Sequence, residues 1–446
     1  MAKQHKAFDN ITMAKNGSQT TIYESIPTNS SQDSLRYLCI GDPHFREQHL
    51  ARCEEMMNAI IKLAEDLAEK NLIDEIVNLG DTYHTFKIVN QYCQRLAIRF
   101  FRRLASIRPL KVLVGNHDRP SHNEFLTQEH PFHGLENHPR IRIVWTSYAE
   151  WRDEIDGYII WMPYVQKGLH DRALDHITYL SVPSMPATTQ AVRLDIYHED
   201  QEKQPTQQPP RSGEIGCEFS HGEYRGAIME GHVSKTGDVW GPEKWPNVSG
   251  HIHDHQYIGS AVTVGDQTRI SGVVYVGTPI QVAMNEAEDK SVSLITVPRA
   301  RHHGKRVIYE KRIPLMCTVT KTIVLSYDEM IEWEPSDQRP DIHGRDIHWH
   351  LIIQDVATKF SGLSVVPHYD RLQSLGITIQ TKPIALHSRT ISLSEVVPLK
   401  EIDSRVLNGV ETRELGYLAG LYKRLENNNL LITLLQRICE TSISHK

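Results

Sequence analysis

The sequence predicts an α/β fold, and three observations carry that expectation. Short apolar runs end at glycines, amphipathic stretches with helical spacing separate them, and ligand-type polar residues follow each run. Residues 35–40 read as the first buried strand, closed by Gly41. Met56, Met57, Ile60, Ile61, Leu63, Ala64 and Leu67 then recur every three or four residues and predict a helix. A strand through Ile76, Val77 and Leu79 comes next, then a helix carrying Leu96, Ala97, Phe100, Phe101 and Leu104, then a strand over residues 110–114. The order β-α-β-α-β predicts an open sheet whose ligands gather at the carboxyl ends of the strands. Further strands are expected over residues 141–145, 158–164, 215–219 and 273–276.

The flanks differ in composition. Residues 1–33 are polar and aperiodic and read as a flexible arm, and the main domain is expected over 34–315. Within it, residues 199–212 form a Pro/Gln-rich run expected as a surface loop. After residue 315 the ligand-type motifs stop. Strand-like segments at 349–353 and 377–381, around a helical stretch at 369–375, predict a small α+β domain over 316–395. Residues 396–446 turn helical, with Leu415, Leu418, Leu421, Tyr422 and Leu425 on one face. That tail either packs on its own domain or offers its apolar face to a partner helix.

A formal charge of -6 argues against a uniformly basic coat, so any nucleic-acid contact must come from local patches or bound metal. The six cysteines are scattered singly, without zinc-site pairing or the density of a disulfide framework. No apolar run approaches the ~20 residues of a membrane helix, and the N-terminus lacks the apolar core of a signal peptide, so no membrane partner and an intracellular location are expected. Histidine, with 25 copies, is the compositional excess, and it is the usual nitrogen ligand of transition metals.

Four of the strand-end motifs carry chemistry: Gly41-Asp42-Pro43-His44, Gly80-Asp81-Thr82-Tyr83-His84, Gly115-Asn116-His117-Asp118 and Gly250-His251-Ile252-His253. A glycine lets the chain turn sharply at a strand end, and the alternation in Asp-x-His or His-x-His points two ligands the same way from extended chain. Each motif alone has a plain structural alternative, as a turn, a helix cap or surface histidines. Their joint order favours one pocket with two metal ions. Mixed oxygen and nitrogen ligands without thiolate suit manganese, iron or zinc, and two ions ~3.5–4 Å apart are a general solution for phosphoester cleavage.

Through these motifs, residues 41–253 resemble the calcineurin-like metallophosphoesterases. Asp81 followed by His84 is similar to the nuclease subunits, bacterial SbcD and the double-strand-break repair nuclease of eukaryotes and archaea. The protein phosphatases of the fold carry Gly-Asp-x-x-Asp-Arg-Gly instead. Residues 219–226 and 276–281 resemble the SbcD-type proteins of large phages, which makes a viral or phage source an expectation. The resemblance implies a β-sandwich flanked by helices, with the small α+β unit as a DNA-facing cap.

For the site, the resemblance implies that Asp42, His44, Asp81 and His253 hold one ion, and that Asn116, His221 and His251 hold a second with Asp81 bridging. His117, supported by Asp118, would stabilise the transition state or protonate the leaving oxygen, and His84 would position DNA. His221 is preferred to His198 and His232 because it directly follows a predicted strand. His302 and His303 lie in the basic stretch 299–312, read as a solvated β-hairpin or a phosphate-backbone contact.

The reaction implied is manganese-dependent hydrolysis of DNA phosphodiesters by a hydroxide shared between two ions, exonucleolytic on duplex ends and endonucleolytic on single strands or hairpins. A recombination and repair complex with an SbcC-like coiled-coil ATPase, bound by the helical tail, goes with it, as does a homodimer; no Walker motif is present in this chain. Two other classes stay open: a phosphatase or small phosphodiesterase using the same metals, and a non-catalytic scaffold for an ATPase.

Overall fold

A computed structural model describes residues 33–180, 214–229, 231–283, 286–325, 327–333, 345–353, 371–372 and 374–381. The first half follows the alternation expected: β1 (Ser34–Ile40), α1 (Leu50–Glu69), β2 (Glu75–Asn78), α2 (Gln91–Ile107), β3 (Leu110–Leu113) and β4 (Ile141–Val144). These four strands run parallel, each joined to the next by a connection long enough to cross the sheet. Asn90 caps α2, its side chain accepting the amides of Tyr92 and Cys93.

After β4 the chain leaves this sheet. Strands β5 (Tyr148–Arg152), β6 (Gly157–Met162), β7 (Thr178–Leu180) with α3 (His170–Asp175) before it, and β8 (Ile215–His221) are followed by the short β9 (Ile228–Met229) and β10 (His232–Val233). Then come β11 (Asn247–Gly250), β12 (Gln256–Ile258), β13 (Ala261–Val264), β14 (Gln267–Ile270), β15 (Val273–Tyr275), β16 (Ser291–Pro298) and β17 (Ile308–Pro314). They complete an eight-stranded sheet, β13-β14-β17-β16-β1-β2-β3-β4, and a seven-stranded one, β12-β15-β11-β8-β6-β5-β7.

The single open sheet expected from the local pattern is therefore corrected to a sandwich, the architecture the family resemblance implies. Only residues 145–147 separate β4 from β5, too few for a crossover helix, so the chain passes to the second sheet. The alternation along β1 shows both faces at work. Leu38 and Ile40 join Met56, Ile60 and Leu67 of α1 and Leu96, Phe100 and Leu104 of α2. Leu35, Tyr37 and Cys39 face the second sheet, where Trp161 stacks on Phe219 with ring centroids 4.7 Å apart.

The basic stretch 299–312 also departs from expectation. A β16–β17 hairpin forms, but β17 lies inside the sheet and only residues 299–305 at its tip are largely open to solvent. Its charges are answered internally, Glu310 by Ser293, His255 and Tyr257, and Lys311 by Asp266 at 2.7 Å.

A three-stranded parallel sheet, β18 (Val319–Leu325), β19 (Ile347–Ile353) and β20 (Thr378–Thr381), with α4 (Tyr327–Glu332), has its own core of Val319, Met330, Trp349, Leu351 and Leu372. Gln281 clips β18 to the main body by bonding both the amide and the carbonyl of Thr320. The N-terminal residues 1–32, the Pro/Gln-rich run and the helical tail lie outside the described residues. Among the described residues no helix is long and apolar enough to cross a membrane.

Candidate metal centre

The carboxyl ends of parallel strands from both sheets converge. Asp42 and His44 follow β1, Asp81 follows β2, and Asn116 and His117 follow β3, while His221 ends β8 and His251 and His253 follow β11. His44, Asp81 and His251 have φ of 46°, 45° and 81°, left-handed backbone that costs a non-glycine residue of order 1–3 kcal/mol. Strain of this kind, held at three ligand-type residues, fixes where their side chains aim. Two glycines make room: Gly80 has φ 109°, and a Cβ on Gly115 would stand 2.2 Å from the Asp81 carboxylate.

Three overlapping trios result, Asp42–His44–His253, His44–Asp81–His117 and Asp81–His221–His251, each with its ligand atoms within 4.8 Å of one another. His44 Nε2 and His253 Nε2 face each other at 3.0 Å. His221 Nε2 stands 3.3 Å from Asp81 Oδ1 and 2.9 Å from Asn116 Oδ1, which also meets His251 Nδ1 at 2.8 Å. Asp42 accepts the His251 amide at 2.9 Å, and Asp81 accepts the His117 amide at 2.8 Å. All seven residues expected as ligands thus share one pocket, with Asp81 common to two trios.

Backbone carbonyls and carboxylates set the tautomers. His221 Nδ1 donates to the Leu79 carbonyl at 2.7 Å, His117 Nδ1 to the His84 carbonyl at 2.7 Å, and His253 Nδ1 to Glu286 at 2.8 Å, so each Nε2 turns to the pocket. The His84 ring lies half-buried beside His44, with centroids 5.5 Å apart.

Asp118, expected beside the His117 ring, is placed differently. Its buried carboxylate accepts the amides of Thr82, Tyr83 and Gly115 and ties the β2 and β3 loops together. His84's carbonyl takes the part foreseen for it. His232 is exposed on β10, His302 and His303 sit at the hairpin tip, and His198 lies outside the described residues.

Two residues escaped the sequence reading. Glu286 holds His253, Lys290 at 2.8 Å and the amides of Val282 and Ala283. Phe86 stacks on the His117 ring at 3.9 Å. Neither belongs to a ligand motif; the only signal was Phe86's place just after His84.

Burial pushes the Asp42 carboxyl up to about 6, with the Asp81 charge adding and His221 opposing. Burial acts on Asp81 too, but the His221 charge and hydrogen bond, with His117 and His44, hold it well below the usual range. His221 goes up to about 9 because Asp81 and Asp42 outweigh its burial, whereas burial and the His221 charge take His251 down to about 3. Burial keeps His44 well below its ordinary value as well. Its Nδ1 is buried without a hydrogen-bond partner. Facing imidazole nitrogens and two buried carboxylates are the donor set of divalent cations of the manganese, iron or zinc type, so the residues fit a two-metal site.

The fold and this site define a metal-dependent phosphoesterase. Residues 35–254 match the calcineurin-like phosphoesterase family, and this part of the chain is a calcineurin-like metallophosphoesterase domain. Similar proteins include "Putative phosphoesterase 244L" of Invertebrate iridescent virus 6, 26% identical over 59% of this chain and 76% of its own length. "Putative phosphoesterase 078R" of Invertebrate iridescent virus 3 is 21% identical over 79% of this chain and 85% of its own length.

Proposed function

We propose that the protein is a manganese-dependent DNA nuclease of the SbcD type, hydrolysing phosphodiesters at duplex ends and in single strands or hairpins. The observation that carries this reading is His84. It follows Asp81 by three residues, lies at the edge of the ligand cluster, and holds His117 Nδ1 through its carbonyl oxygen. A residue so placed can contact a phosphodiester's flanking nucleotide while orienting the histidine nearest the leaving group.

Asp42, His44, Asp81 and His253 would hold one ion, and Asp81, Asn116, His221 and His251 the other. Two bound divalent ions supply a nucleophile active at neutral pH and neutralise charge on the phosphoryl oxygens. His117 carries its proton on Nδ1, so Nε2 is the atom that takes or gives a proton at the leaving oxygen. Burial lowers its pKa and keeps Nε2 free near neutrality.

The unit over 316–395 would cap the substrate, the tail over 396–446 would dock on a coiled-coil ATPase, and two copies would pair across a duplex. An intracellular setting goes with that role, in a host cell if the source is viral as for the relatives.

The test is end-labelled linear duplex DNA incubated with the protein and manganese, beside Asp81→Ala and a phosphate monoester. Metal-dependent shortening lost in the variant supports the nuclease. Fast monoester turnover with intact DNA would move the protein to the phosphatase branch, and inertness toward both would favour a scaffold.

A further inference from the structure

A shallow cleft opens beside the metal centre, where the start of α1 meets the segment that clips β18 to the main body. His44, Arg46, His49, Arg52, Gln281 and Val282 line it. Arg46 donates to the Val282 carbonyl, and Arg52 to the Thr318 carbonyl at 3.4 Å. Each guanidinium thus commits one of its five N–H donors, and a carbonyl leaves its charge uncancelled.

Among the described residues neither arginine has an ion-pair partner. The carboxylates whose charge reaches them are engaged elsewhere: Glu55 accepts the Thr318 amide and hydroxyl, and Glu286 holds His253 and Lys290. The first turn of α1 contains no acidic residue. The resulting positive field reaches two histidines. At His84, on the edge of the pocket, burial and then the Arg46 charge lower the pKa. At His49 burial, Arg46 and Arg52 take it down to about 4, and His348 of β19 adds to them. Two half-buried guanidinium charges acting on each other cost free energy that a bound anion would offset. Guanidinium groups fork onto phosphate oxygens. The cleft has little room inside, so a phosphate seated at its mouth fits and an inserted base does not.

We propose that Arg46, His49 and Arg52 form a subsite for a non-scissile phosphate of a polynucleotide, continuing the substrate path from His84 toward the β18–β20 unit. The assignment rests on the nuclease reading of the metal centre. It gives that centre a means of preferring a chain of phosphates to a lone ester.

The test compares a single-stranded oligonucleotide with bis-p-nitrophenyl phosphate, a diester with no neighbouring phosphate, as substrates of the full chain with manganese. In the Arg46→Gln, Arg52→Gln double variant the ratio of the two kcat/KM values should fall on the order of 10-fold. The slope of log Kd against log salt, read by fluorescence anisotropy of the same oligonucleotide, should flatten by about two, and by about one in Arg52→Gln alone. Arg46→Lys with Arg52→Lys keeps both charges and should restore the slope, which a merely misfolded variant would not do. Wild-type ratio and slope in the folded glutamine variants would overturn the subsite and leave the nuclease reading standing. A wild-type protein that leaves the oligonucleotide intact would overturn both.

Discussion

His253 and His255 sit two residues apart and each meets a buried carboxylate, but the two clusters behave differently. Around His255 the chemistry is closed: its Nε2 reaches both oxygens of Glu310 at 3.0 Å, and Tyr257 and Ser293 donate to the same carboxylate. Around His253 it is open, because Nε2 points at another imidazole nitrogen, His44 Nδ1 has no partner, and Asp42 and Asp81 lie beside them. A closed cluster holds the two sheets together. An open one, bought with left-handed backbone at three positions, is arranged for a cation that completes it.

The largest expected effect separates the clusters outright. Asp81→Asn removes the carboxylate common to two trios and should lower phosphoesterase turnover by on the order of 10³-fold, with metal content falling in parallel by elemental analysis. Glu310→Gln should do the reverse, costing about 3 kcal/mol in denaturant unfolding while leaving the metal content intact. If Glu310→Gln lowered metal content as Asp81→Asn does, the distinction would fail.

The clusters also oppose each other in pH. Glu310 lies below its ordinary value, since its hydrogen bonds and His255 outweigh burial, so its stabilisation holds above the unfolded carboxyl range and fades as pH falls. Asp42 lies above, at about 6, so its contribution to the metal-free protein is complete below about 4 and is lost as pH rises through 6. A divalent ion reverses the second trend. Its stabilisation, read as the shift in melting temperature, should be larger at pH 8 than at pH 5. Because His221 holds a proton up to about 9 in the metal-free pocket, calorimetry in buffers of different ionisation heat should show proton release on metal binding at pH 7.5.

Smaller effects sharpen the picture. Glu286→Gln loosens His253 and should weaken metal binding about 10- to 100-fold, measured by competition with a chromophoric chelator. Phe86→Ala removes a stacking contact worth about 0.5–1.5 kcal/mol and should cost turnover only a few-fold while shifting the pH profile set by His117. An unchanged profile would remove Phe86 from the account.

Much of this was legible in the sequence because β1, β2 and β3 are short, mostly apolar runs buried on both faces that lead into glycine-led ligand motifs, so local pattern and chemistry coincide. The second sheet was harder to read. β17, with Tyr309, Glu310, Lys311 and Arg312 in succession, resembles a solvated strand, and only the internal pairing of those charges lets it lie in a sheet. Glu286 and Phe86 act through tertiary contacts that no spacing encodes. The same holds for Asp118, which the motif places beside His117 but whose carboxylate is drawn to three backbone amides.

The most direct test is the number of divalent ions the open cluster binds. Manganese titration followed by electron paramagnetic resonance should show two equivalents and the spin coupling of neighbouring ions. Both should be lost with Asp81→Asn. Binding of one equivalent or none, or two uncoupled ions indifferent to Asp81→Asn, would contradict the two-metal centre.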